Sequence, residues 1–119
     1  MENAMLYIMQ GLEHKNNGNH KAAITEFNKA IELDSEIEDA YAFRAGSFSS
    51  IGEWDKAIAD YTHVITLNKN DENHVSRGLA YFMAGKHKEA RPDLEEALRL
   101  NPECINAKNA LAELEKIGF

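Results

Sequence analysis

Residues 52–68 read GEWDKAIADYTHVITLN, and the same outline stands 34 residues earlier as GNHKAAITEFNKAIELD (18–34) and 33 residues later as GKHKEARPDLEEALRLN (85–101). Five columns keep these two intervals: Gly18, Gly52 and Gly85; Ala23, Ala57 and Ala90; Phe27, Tyr61 and Leu94; Ala30, Val64 and Ala97; Leu33, Leu67 and Leu100. Self-similarity at a fixed period is the mark of a repeat architecture and has to be settled before any other reading of the chain. Within the unit, Ala23, Ile24, Phe27, Ala30 and Ile31 recur every three or four residues, which predicts an amphipathic helix.

Working outward, each glycine stands where one helix ends and the next begins, a place that favours positive φ. Asn19 is expected to cap the helix that follows Gly18. Ser35 and Glu38 have the spacing of a capping box, and Pro102 suits a first helical position. These signals predict seven helices near 3–16, 20–33, 37–50, 54–67, 71–84, 87–100 and 103–116, with no strand. Pro92 falls about six residues into the sixth helix, where it removes a backbone hydrogen bond. The sequence therefore predicts a kink near Lys88 or a later start than in the sister helices.

A 34-residue helix-turn-helix unit, with alanine and then an aromatic four residues on in its second helix, resembles the tetratricopeptide repeat. The first helices keep the large-small-large rhythm in Tyr7, Gly11 and His14, in Tyr41, Ala45 and Phe48, and in His74, Gly78 and Tyr81. They depart from the family's pattern at Gln10, Arg44 and Arg77, where a leucine is usual. The resemblance implies an all-α, right-handed superhelical solenoid of three repeats (4–37, 38–70, 71–104) closed by a capping helix near 103–117, all in one domain of residues 1–119. Repeats bury their apolar faces only against neighbours, so a cap with a polar outer side is required. CINAKNALAELEKIG supplies it, with Ala107, Ala110, Leu111 and Leu114 on one stripe. Arg44 and Arg77 share one column, and Asp60 and Asp93 another. Each pair is expected to link the two helices of its unit, with Gln10 and Glu26 in the corresponding places of the first.

In proteins that look like this one, ligands lie in the concave face formed by the first helix of each unit. Carried over column by column, that face comprises Met5, Ile8, Leu12 and Lys15 in the first unit. The second supplies Asp39, Ala42, Phe43, Gly46, Ser49 and Ser50, and the third Glu72, Val75, Leu79, Phe82 and Met83. Apolar stripes with methionine suit a helix face or an extended peptide, and Asp39 and Glu72 add an acidic rim. The family's carboxylate clamp grips acidic chaperone tails with Lys, Asn and Arg. Here its positions hold Ile8, Leu12, Phe43, Glu72 and Ser76, so the resemblance does not extend to that ligand. A partner with apolar anchors and some positive charge is expected instead. The acidic cluster Asp34, Glu36, Glu38 and Asp39 fits either that attraction or a favourable place at a helix N-terminus.

Composition narrows the remaining classes. Thirteen Lys plus Arg against 20 Asp plus Glu give a formal charge of −7 over 119 residues, which disfavours nucleic acid and anionic membrane surfaces. The single cysteine, Cys104, forms no disulfide within one chain and suits a reducing compartment. The N-terminus lacks the basic region of a signal peptide, and no run approaches a membrane span, so a cytoplasmic protein is expected. His14, His20, His63, His74 and His87 fall in different columns except for His20 and His87, two units apart. With no HExxH, paired cysteines, phosphate-cradling glycine loop or nucleophile motif, no metal, cofactor or enzyme activity is expected. The readings that remain are an adaptor that binds another protein or peptide, a module that associates with copies of itself as a homo-oligomer, and a subunit of a larger assembly.

Overall fold

The computed structural model describes residues 3–119. Among them, seven helices follow in order: α1 (Ala4–Asn16), α2 (His20–Leu33), α3 (Glu38–Ser50), α4 (Trp54–Leu67), α5 (Asp71–Met83), α6 (His87–Leu100) and α7 (Ile105–Lys116). They pack as the antiparallel pairs α1–α2, α3–α4 and α5–α6, each pair stacked on the next, with α7 against α6. The body measures 51 × 25 × 20 Å, and its radius of gyration of 14.9 Å exceeds the roughly 13.5 Å of a compact chain this long. That elongation follows from stacking units along one axis.

Gly18, Gly52 and Gly85 have φ of 80°, 77° and 79°. At each, the amide of the next residue reaches back to a carbonyl five residues earlier, as in Glu53 N–H to Phe48 O at 2.9 Å and Lys86 N–H to Tyr81 O at 2.8 Å. This left-handed turn closes the open carbonyls of the first helix and reverses the chain at once. It is the local cause of every helix pair.

Close approach within a pair depends on small residues. Ala23, Ala57 and Ala90 are fully buried. A Cβ at Gly11 would stand 2.5 Å from the Phe27 ring, and one at Gly78 would stand 2.9 Å from Leu94. One core cluster gathers Ala4, Ile8, Ala30 and Ala40, with Tyr7 and Phe43 packed against it. Another joins Val75, Leu94, Ala97, Ala107, Ala110 and Leu114 at the meeting of α5, α6 and α7.

The expected pairing of columns is present in two of the three units. Arg44 donates from Nε to Asp60 Oδ2 at 2.8 Å and from Nη2 to Oδ1 at 2.7 Å. Arg77 makes the same fork to Asp93, 2.7 Å on each prong. Each guanidinium also reaches the preceding unit, Arg44 to Asn28 Oδ1 at 2.9 Å and Arg77 to Thr62 Oγ1 at 3.2 Å. In the first unit the expectation fails: Gln10 is exposed and Glu26 meets Lys29 at 3.4 Å. A glutamine has neither the charge nor the reach to draw the carboxylate across.

Four local expectations are corrected. Asn19 holds the cap position of α2, but its side chain makes no capping bond, and α3 is preceded by Ile37, so Ser35 caps nothing. The Ser35 carbonyl instead accepts from the Tyr41 hydroxyl at 3.0 Å. Pro102 lies in the turn closed by Cys104 N–H to Asn101 O at 3.0 Å, ahead of α7. Of the two outcomes expected at Pro92, the later start does not occur: α6 begins at His87 and runs 14 residues like α2 and α4. Its exposed position lets water satisfy the Lys88 carbonyl that a proline cannot serve.

Candidate functional site

The first helices of the units, with α7 after them, line one face of the solenoid, and the sequence placed its candidate residues there. Met5 and Met83 stand open, 56% and 61% exposed, as do Asp39 and Glu72 at the helix starts. Leu12, Ala42, Phe43, Gly46, Ser49, Leu79 and Phe82 are half-buried. Ile8 and Val75 are corrected: they retain 2% and 6% of their surface and belong to the two core clusters. Ile8 fills the space where α1 meets α2 and α3, and Val75 the space where α5 meets α6 and α7, so neither offers surface to a ligand.

The N-terminal half of the face is largely filled by the protein's own side chains. Phe43 turns back onto Phe27, with ring centroids 6.0 Å apart. The Lys15 stem lies over Gly46, its Cε 3.3 Å from where a Cβ would be. Open apolar space lies further along. A recess of about 290 Å³ between α5 and α7 is lined by Leu79, Phe82, Met83, Asn106, Asn109, Ala110 and Glu113. A second, of about 220 Å³, lies on the other side of Leu79 and Met83, where Ser49, Trp54, Tyr61, Ser76 and Ala80 complete it.

The second recess has a polar floor. Tyr61 faces Ser49 across it, and burial pushes its phenol above the ordinary value of 10.0 because the interior disfavours a phenolate. A larger hollow of about 500 Å³ lies at the helix turns, bounded by Gly52, Glu53, Trp54, Asp55, Lys56, Ala84 and Lys86. Its walls are mostly polar, and Lys86 already meets Asp55 at 3.1 Å. It lacks the apolar lining of a recognition groove. Among the described residues no group of three His, Cys, Asp or Glu side chains gathers as for a metal, and no helix is long and apolar enough to cross a membrane.

Reading the sequence by units missed four lining residues, Asn106, Asn109, Ala110 and Glu113. The signal was the repeat itself. Moved on by 34 residues, Glu72, Val75, Ser76 and Leu79 become those four positions. Taking α7 only as a cap hid its second face.

Two models described as tetratricopeptide repeat match residues 4–37 and 72–104, together more than half of the chain. DnaJ homolog subfamily C member 3 of Gallus gallus is 33% identical over 94 residues, covering 79% of this chain and 19% of that protein. Tetratricopeptide repeat protein 36 of Danio rerio is 32% identical over 100 residues, covering 80% of this chain and 54% of that one. The chain thus spans about half or less of the length of these relatives. Among solved structures, the first TPR of Spaghetti (RPAP3), bound to the HSP90 peptide SRMEEVD, superposes with a TM-score of 0.90 at 24% identity, over 97% of this chain and 92% of that one. That likeness carries the fold.

Proposed function

The chain is a tetratricopeptide repeat protein, and from that premise we propose that it is a non-catalytic interaction module whose three repeats and α7 act as one domain to hold a segment of a partner protein. The observation that carries this reading is the open apolar recess between α5 and α7, flanked by the exposed Met83. Apolar area leaving water supplies the attraction, about 25 cal/mol per Å². Asp39, Glu72 and Glu113 bias the face toward a partner with positive charge. The setting we assign is the cytoplasm, where Cys104 stays reduced.

The groove is not read as a carboxylate clamp. Ile8 is buried, Phe43 is stacked on Phe27, and Glu72 is acidic where such a ligand needs a cation. Calorimetry with the peptide SRMEEVD tests this point: no heat of binding at micromolar peptide is expected, and micromolar affinity refutes it. The interaction reading is tested by comparing proteins captured from source-cell lysate by the wild type and by Met83→Glu, a change on an exposed side chain. Capture that is identical in the two refutes the groove as the site.

A second reading, association of the chain with its own copies, is favoured by Met5, Leu6 and Met9 on α1, which are 56%, 46% and 63% exposed. Light scattering across a concentration range separates the two. A monomer at every concentration removes self-association.

A further inference from the structure

Building on the groove reading, we infer that the occupant is an extended, basic segment of a partner protein. It seats one large apolar side chain between α5 and α7, lays its main chain along Asn106 and Asn109, and sets a lysine or arginine at Glu113. In this arrangement α7 is a wall of the binding site as well as a cap.

Three observations converge. The α5–α7 recess has apolar walls in Leu79, Phe82, Met83 and Ala110, and its roughly 290 Å³ is at the lower end of ligand pockets. That is room for one large side chain. Asn106 and Asn109 are three residues apart, so both stand on the face of α7 that borders the recess. Both are exposed, and among the described residues neither carboxamide is hydrogen-bonded within the chain. A carboxamide offers a donor and an acceptor side by side. An extended main chain presents unpaired N–H and C=O groups to it, whereas a helix has already satisfied its own.

Charge decides the neighbouring residue. Glu113 borders the same recess and meets only Lys116, at 3.3 Å, in a pair whose side chains are 57% and 72% exposed. Such a surface pair contributes little and yields readily to a cation delivered by a ligand. Glu72 holds the column of Asn106 one unit earlier, so the acidic character continues along α5. The cation of the N-terminal half, Lys15, lies over Gly46, across α3 from this recess.

The register follows from packing. Adjacent helices stand about 8–10 Å apart, so the recesses on either side of Leu79 and Met83 are separated by about that distance. Three residues of extended polyproline-II chain, at about 3.1 Å each, cover it and return the side chain to the same face. The second recess, with Ser49, Ser76 and the Tyr61 hydroxyl, then takes a smaller or hydroxyl-bearing side chain three positions from the apolar anchor.

The test uses a phage-displayed library of random octapeptides selected on the immobilised full chain. Selected peptides are expected to share a large apolar residue with Lys or Arg close by, and to shift the side-chain amide signals of Asn106 and Asn109 in NMR titration. Glu113→Lys should weaken them about tenfold and select acidic residues in place of basic ones. Asn109→Ala, at an exposed position, should weaken them severalfold with the fold intact. Peptides that perturb the concave face without a basic preference, or that bind Glu113→Lys equally well, overturn this inference and leave the groove reading standing. Absence of any enriched peptide, or shifts confined to the convex face, overturns both.

Discussion

Arg77 and Asp93 form a two-pronged ion pair across α5 and α6, with both N–O distances at 2.7 Å and the carboxylate 4% exposed. His74 Nδ1 lies 3.1 Å from Asp93 Oδ1, on the same carboxylate. The hydrogen bond to Asp93 raises the Arg77 pKa further, so the guanidinium stays charged across the working pH range. Arg77→Met leaves a buried carboxylate with only a histidine beside it, and loss of one partner of a buried pair is costly. A loss of about 2–4 kcal/mol in urea denaturation is expected. The double change Arg77→Met, Asp93→Leu should recover a large part of it, because no buried charge is then left alone.

The contact between Gly11 and Phe27 predicts an unequal response to one added methyl group. At Gly11 the new Cβ would face three ring atoms of the fully buried Phe27 at 2.5–2.9 Å, whereas at Gly78 it meets the branched end of Leu94 at 2.9 Å. A rigid ring cannot fold away, so Gly11→Ala should destabilise by about 1–3 kcal/mol despite alanine's better helix propensity. Gly78→Ala should cost less. Phe27→Leu added to Gly11→Ala should relieve part of the strain, read as a rise in thermal midpoint over Gly11→Ala alone.

Pro92 is exposed in the interior of α6 and withholds one donor from the ladder. Pro92→Ala restores the amide to the Lys88 carbonyl and removes the ring clash. A gain of about 1–3 kcal/mol is expected, with a higher thermal midpoint and unchanged peptide binding.

Tyr61 predicts the alkaline limit. Its phenol titrates above 10.0 because burial disfavours the charged form. The fold therefore holds that proton more tightly than the unfolded chain does. The stabilisation is complete below the unfolded pKa and is lost as pH rises through the higher folded value. Unfolding midpoints should fall above about pH 10, and Tyr61→Phe should flatten that fall. At neutral pH the same substitution, which removes only the hydroxyl, should change stability by less than about 1.5 kcal/mol.

How far the molecule was legible in its sequence depends on what each signal encodes. Helix ends were readable within two residues because Gly18, Gly52 and Gly85 mark them through a backbone conformation intrinsic to glycine. The Arg44–Asp60 and Arg77–Asp93 links were readable because two complementary charges recur in register. Caps were less legible. Asn19 and Ser35 have side chains able to cap, yet the turn geometry on either side turned them to other uses or to none. The groove was the least legible, since helical spacing says which way Ile8 and Val75 point and not whether a neighbouring helix already fills that space. Only the packing of α3 on α1 and of α7 on α5 settles that question.

The third hydrogen bond of each arginine bears on how the repeats stay together. Arg44 ties the second unit to Asn28 of the first, and Arg77 ties the third to Thr62 of the second. In a linear array, such junction contacts act as nearest-neighbour coupling, so that opening one unit weakens the next. At the last junction the arginine column holds Leu111 and the acceptor column Glu95, whose partner is Arg91 at 3.8 Å on its own helix. The tie of that column is absent there: α7 rests on apolar contacts through Ala107, Ala110 and Leu114, and beyond its last turn Arg91 Nε donates to Phe119 O at 2.6 Å. Fraying is therefore expected to begin at α7, visible as the earliest amide exchange among the helices. A peptide lying against Asn106 and Asn109 would then act as a clasp, slowing exchange across α7 as it binds.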